Sequence, residues 1–79
     1  MISCQFSLYP LGVDDLSPAI DAAVAEMKAL GLDLDVGPMS TQVTGDTGSV
    51  FEGLRRAFDA VAREGHVVMT VTVSNACPV

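Results

Sequence analysis

Apolar and polar residues alternate strictly near both ends of the chain. In residues 2–9 every second position is apolar and the positions between carry hydroxyl or amide side chains, with Tyr9 last. Residues 67–74 show a similar alternation, ending at Ser74. A period of two places the two sets on opposite faces of a strand, so both stretches are predicted to be half-buried strands. Pro10 and Gly12 are expected to end the first one.

Between these strands, two stretches have the period of an α-helix. Ser17 followed by Pro18 is a good N-cap and first-position pair, and it predicts a helix that stops at Gly31. Its apolar stripe, interpreted as core, comprises Leu16, Ile20, Ala23, Met27 and Leu30. A second helix is predicted to start among the possible caps in residues 45–49 and to end at Gly65. Its stripe comprises Val50, Leu54, Ala57, Phe58 and Val61, and its surface ion pairs are Glu52 with Arg56 and Asp59 with Arg63.

The middle of the chain is predicted to form a β-hairpin. Residues 32–36 form a short strand candidate, Gly37 and Pro38 a turn, and residues 39–44 a second strand rich in β-branched side chains. The order βαββαβ predicts an α+β, ferredoxin-like fold in one domain over residues 1–79. We expect a four-stranded antiparallel sheet with two helices on one face.

The opposite face of this sheet is predicted to be polar but weakly charged. The alternation assigns to it Ser3, Gln5, Ser7, Thr70, Thr72 and Ser74 and, if the alternation of the third strand is unbroken, Ser40, Gln42 and Thr44. Lys and Glu would be expected on a face open to bulk solvent. We interpret it as a sheet-to-sheet dimer interface, or as an interface that also holds a small polar ligand there or at its rim.

Composition and charge exclude several classes of protein. The 79 residues bound one small domain that association would stabilise. A net charge of -6 repels nucleic acid and is compatible with a cationic ligand. The chain shows neither an apolar run of about 20 residues nor a signal peptide, so we expect a cytoplasmic protein without a membrane partner.

The residues that usually carry catalysis or bind metals form no recognisable set. There is no phosphate loop, no Ser/His/Asp set and no zinc or redox cysteine motif. His66 is expected on the surface at a strand entry, and the acidic pairs 14–15 and 33/35 are expected to act as cap and edge-strand charges. Cys4 and Cys77 are expected to be free thiols, close enough to pair under oxidation. We therefore predict neither an enzyme nor a cofactor or metal site.

Three phrases in this order resemble the YkoF-like family of thiamine/hydroxymethylpyrimidine-binding proteins across nearly the whole chain. They are Tyr9-Pro10-Leu11-Gly12, Val36-Gly37-Pro38-Met39-Ser40-Thr41 and Gly45-Asp46. The resemblance implies a ferredoxin-like fold and homodimers or homotetramers built through the sheets. It also implies binding of thiamine (vitamin B1) or its hydroxymethylpyrimidine part, without catalysis.

Uncharged polar side chains predict where such a ligand would bind. The expected ligand-binding residues are Gln5, Ser7, Met39, Ser40, Thr41 and Thr70. Hydroxyls and amides suit the donors and acceptors of an aminopyrimidine, and the lack of a phosphate cradle favours the unphosphorylated ligand. Tyr9 is the aromatic candidate for stacking, because the three phenylalanines are interpreted as core. The alternative is a structural or regulatory module that oligomerises through its open sheet face without a ligand.

Overall fold

The six predicted elements are present in the predicted order. A computed structural model describes residues 1–76. Its elements are β1 (Ile2–Pro10), α1 (Ser17–Lys28), β2 (Asp33–Val36), β3 (Thr41–Gly45), α2 (Thr47–Ala62) and β4 (Val67–Ser74). The strands form one antiparallel sheet in the order β2-β3-β1-β4. The ferredoxin-like prediction is confirmed.

The core lies between one face of the sheet and the two helices. The even-numbered residues of β1 from Ile2 to Leu8 point into it and meet Ala23 and Met27 of α1. Cys4 is buried there, and this burial raises the pKa of its thiol. Its predicted partner Cys77 lies outside the described residues. Neither helix of the described chain has the length and hydrophobicity that crossing a membrane requires.

The opposite face of the sheet carries the predicted polar side chains. Ser3, Gln5 and Ser7 of β1 lie opposite Ser74, Thr72 and Thr70 of β4. Gln42 and Thr44 of β3 join the same face, and Asp33 and Asp35 of β2 lie beside them. The face is therefore uncharged except at its β2 edge.

A carboxylate accepts a backbone N–H at the start of each helix, but only Asp46 at α2 is the N-cap residue itself. The Ser17 N–H donates to Asp15 Oδ1 at 3.0 Å, and Leu16 is the N-cap. The prediction of Ser17 as the cap was therefore wrong by one residue. At α2 the Ser49 N–H donates to Asp46 Oδ2 at 3.0 Å, as expected for a cap within residues 45–49. This bond lowers the pKa of the Asp46 carboxyl.

The third strand starts later than predicted. Its pairing with β2 begins at Val36 and Thr41, because residues 37–40 form a tight turn. The Gly37 N–H closes this turn on the Ser40 carbonyl at 2.9 Å. Met39 and Ser40 therefore precede β3, and the assignment of Ser40 to the open face of the sheet was wrong.

Two phenylalanines interpreted as core lie at the surface. Phe51 is 51% exposed and Phe58 is 38% exposed, whereas Phe6 is buried. The buried stripe of α2 is Val50, Gly53, Leu54, Ala57 and Val61. Gly53 brings this face of the helix close to Leu32 and Met27, and the two rings lie outside the buried stripe. The predicted Glu52–Arg56 pair forms at 2.9 Å, but among the described ion pairs Asp59 binds Arg55 rather than Arg63.

Candidate functional site

A cavity of about 200 Å³ lies where β1 continues beyond the start of β3. The β1–β3 pairing ends at Phe6 and Thr41, while β1 runs on to Pro10 beside β4. The turn of residues 37–40 and the first turns of α1 wall the gap that results. The position of the cavity thus follows from the unequal lengths of two neighbouring strands.

Four of the six predicted site residues line this cavity. They are Ser7, Met39, Ser40 and Thr41. Gln5 lies instead in a shallow groove of the open sheet face, together with Gln42 and Thr72. Thr70 also lies on that face, opposite Ser7 in the β1–β4 pairing. The structure thus divides the predicted residues between this cavity and the open face of the sheet.

The Ser7 hydroxyl holds the turn against β1. Its Oγ donates to the Met39 carbonyl at 3.0 Å, although the Met39 residue is 85% exposed. The single hydroxyl proton of Ser7 is used in this bond, so Ser7 can offer a ligand only acceptor capacity. The primary contribution of Ser7 is to fix the wall of the cavity.

Thr41 is the buried polar residue of the described chain. It is 5% exposed, and no side-chain hydrogen bond within the described residues involves its hydroxyl. Because no fully buried side-chain polar atom of the described chain lacks a partner, the Thr41 hydroxyl oxygen is not completely buried, and Thr41 lines the cavity. A hydroxyl can both donate and accept, which makes it the best-placed side-chain group for a polar ligand.

An apolar wall faces these hydroxyls. Leu16 and Ile20 line the cavity, and Leu16 is 39% exposed. Both were interpreted as core because they share a helical stripe with Ala23 and Met27, which are buried. Only the C-terminal half of that stripe is covered by the sheet. Tyr9, the predicted stacking residue, also lines the cavity and is 46% exposed.

The cavity is electrically neutral. No Asp, Glu, Lys, Arg or His is among its lining residues. In the part of the chain that the structure describes, no group of His, Cys, Asp and Glu could hold a metal ion. This lining suits a neutral, planar, partly polar ring better than a phosphate.

A second cavity of about 380 Å³ lies at the end of the sheet near His66. Asp15 and Glu64 are among its lining residues, but Asp15 Oδ1 already accepts the Ser17 N–H. The His66 side chain is exposed, as predicted, and its carbonyl accepts the Leu11 N–H at 2.9 Å. This cavity contains none of the predicted site residues.

Comparison with known sequences identifies the family. The sequence profile of the YKOF-related family matches residues 1–79. The chain belongs to the YkoF-related family. A Bacillus subtilis relative, named "Putative HMP/thiamine-binding protein YkoF", is 33% identical to this YkoF-related chain over 76 residues. The match covers 95% of this chain but only 38% of the relative's length.

Solved structures share the fold of this YkoF-related chain. A hypothetical protein from Methanocaldococcus jannascii superposes with a TM-score of 0.89 at 20% identity, covering 96% of this chain and 80% of that one. A Thermotoga maritima protein, described as a "putative thiamine biosynthesis/salvage protein", gives a TM-score of 0.78 at 20% identity. That match covers 92% of this chain and 81% of the other. Both support the ferredoxin-like fold.

Proposed function

We propose that this protein binds thiamine or its hydroxymethylpyrimidine part, in unphosphorylated form and without catalysis, in the cavity beside Thr41. The observation that carries the proposal is the neutral cavity lined by the buried Thr41, whose hydroxyl makes no hydrogen bond within the described residues. The printed names of the B. subtilis relative and the T. maritima protein support the choice of ligand.

The chemistry of the cavity matches an aminopyrimidine. Its ring can pack against Leu16, Ile20 and Tyr9, while its nitrogens meet the hydroxyls of Ser40 and Thr41. The thiazolium cation of thiamine would extend toward solvent, where the net charge of -6 favours it. A diphosphate would find neither basic side chains nor a metal site along the lining.

Isothermal titration with a matched set of variants tests the proposal. Thr41→Val removes the hydroxyl but keeps the shape, and it should weaken thiamine binding by about 1–3 kcal/mol because a buried ligand atom loses its partner. Thr41→Ser keeps the hydroxyl and should bind more tightly than Thr41→Val. Thr72→Ala, which changes only the open-face groove, should bind like the wild type.

Each result has a distinct meaning. No heat with thiamine or hydroxymethylpyrimidine at millimolar concentration would refute the proposed function. Binding that is lost in Thr72→Ala but kept in Thr41→Val would retain the function and move the ligand to the open face. Thiamine diphosphate that binds more tightly than thiamine would contradict the choice of the unphosphorylated form.

The open face, uncharged over β1, β3 and β4, favours a second candidate function. A module that oligomerises through this face would use the hydroxyls and amides of β1, β3 and β4 for contacts between copies. We propose such self-association in addition to ligand binding, and as the sole function if no ligand binds.

A further inference from the structure

We propose that the backbone of Leu8, in addition to the Ser40 and Thr41 hydroxyls, recognises the ligand in this cavity. The Leu8 N–H would bind an acceptor nitrogen in the ring of a planar heterocycle, and the Leu8 C=O would bind a donor amino group on the next ring atom. This inference rests on the proposed function for the identity of the heterocycle as an aminopyrimidine. The inference adds the hydrogen-bonding pattern that the site recognises, which is one acceptor beside one donor.

The register of the sheet fixes the direction in which the Leu8 backbone points. The Leu11 N–H donates to the His66 carbonyl at 2.9 Å, which extends the β1–β4 pairing by one residue. Successive residues of a strand direct their N–H and C=O groups to opposite neighbours. Tyr9 and Ser7 therefore face β4, as Leu11 does, whereas Leu8 faces the side of β3.

On that side, β3 does not extend as far as Leu8. The β1–β3 pairing ends at Phe6 and Thr41, so Leu8 has no strand partner there. The nearby turn does not replace it, because Gly37 bonds to Ser40 and the Met39 carbonyl accepts from Ser7. Among the described backbone bonds outside helices and strands, none involves Leu8.

The burial of Leu8 makes its unpaired backbone N–H and C=O groups unusual. Leu8 is 5% exposed and lines the cavity. Backbone N–H and C=O groups at such buried positions are nearly always paired, because an unpaired one loses its hydration without compensation. A partner that enters through the cavity would remove this cost.

The neighbouring residues limit the partner to a small molecule. The preceding residue that faces the same side is Phe6, which is already paired with Thr41. The following one is Pro10, which has no N–H. An added peptide strand needs several successive pairs, and only one is open. An aminopyrimidine offers one matching pair, because a ring nitrogen accepts and the adjacent amino group donates.

Amide exchange measured by NMR on the complete ¹⁵N-labelled chain tests the inference. Without ligand, the Leu8 amide should exchange at least about tenfold faster than the Phe6 amide, which is paired with Thr41. Thiamine and 4-aminopyrimidine should slow the Leu8 exchange by about tenfold or more and shift its proton downfield. Pyrimidine, which lacks the amino group, should bind about tenfold more weakly than 4-aminopyrimidine.

The outcomes separate this inference from the proposed function. If thiamine binds but the Leu8 amide neither shifts nor slows, the inference is overturned and the function stands. If thiamine does not bind but 4-aminopyrimidine protects Leu8, the inference stands and the proposed ligand is wrong. A Leu8 amide that is as protected as Phe6 without ligand would overturn the inference directly.

Discussion

Gly53 is the point at which α2 approaches the rest of the core most closely through its own backbone. A Cβ atom at Gly53 would lie 2.9 Å from Leu32 Cδ1 and 3.2 Å from Met27 Cγ. Both distances are shorter than ordinary van der Waals contact. The absence of a side chain at this residue therefore sets the spacing between α2, α1 and the loop after α1.

The first prediction concerns this close contact. Gly53→Ala should destabilise the protein by about 1–3 kcal/mol through overpacking, less a gain of about 0.5–1 kcal/mol in helix propensity. Gly48→Ala is the matched control, because its Cβ would meet only Asp46 Oδ2 at 3.5 Å. It should be neutral or slightly stabilising. Urea unfolding measures both, and equal effects of the two substitutions would contradict the prediction.

Residue types predicted the polar lining of the candidate cavity, whereas the positions at which strands end determine its apolar wall and its backbone groups. The hydroxyls of Ser7, Ser40 and Thr41 were predictable because their side chains can bond a polar ligand. Leu16 was not, because its apolar pattern is the same whether the sheet covers it or stops short of it. The role inferred for Leu8 has no side-chain signal, since it depends on where β3 begins.

At the scale of elements, periodicity together with the turn and the β-branched residues of the hairpin predicted every helix and strand but not every boundary. Alternation identified β1 and β4, and the helical stripes identified α1 and α2. The start of β3 was predicted two residues early because Met39 and Ser40 fit a strand in sequence. The closing bond between Gly37 and Ser40 takes those residues into a turn, and this competition cannot be read from alternation.

The second prediction concerns the start of α2 and its dependence on pH. The Ser49 N–H lowers the pKa of Asp46, and the side chains of Arg55 and Arg56 lower the pKa of Glu52 to about 2. A lowered carboxyl pKa adds stability above the unfolded pKa of about 4, and this stability is lost as the pH falls toward the folded value. Unfolding should therefore become easier between about pH 4 and pH 2.

Variants of Asp46 isolate the contribution of the cap. Asp46→Ala should lower Tm by a few degrees at pH 7, whereas Asp46→Asn, which keeps an acceptor oxygen, should lower it less. Both variants should show a smaller loss of stability than the wild type when the pH falls from 4 to 2. Calorimetry at several pH values measures this, and parallel curves for all three proteins would show that Asp46 does not contribute.

The whole molecule, which has a net charge of -6, presents a sheet face that is uncharged except at its β2 edge. We predict that the wild type is at least a dimer at micromolar concentration. Thr72→Lys, in the middle of this face, should weaken the dimer by about tenfold or more because a buried charge would lack a partner. Ala25→Lys makes the same charge change at an exposed position of α1 and should leave the dimer intact.

Light scattering over a range of concentrations measures this association. A stable monomer in the wild type would remove the open face as an interface. Equal weakening by Thr72→Lys and Ala25→Lys would indicate an effect of net charge rather than of the face.

The adjacency of the first and last strands has a consequence for folding speed. Ser3 lies directly opposite Ser74, so pairs of residues from nearly the two ends of the sequence must meet before the sheet is complete. A circular permutant that joins these ends by a short linker and opens the loop at Gly12 would turn β4 and β1 into a local hairpin. Its contact order and loop-closure entropy would fall, so stopped-flow refolding should be faster than for the natural order.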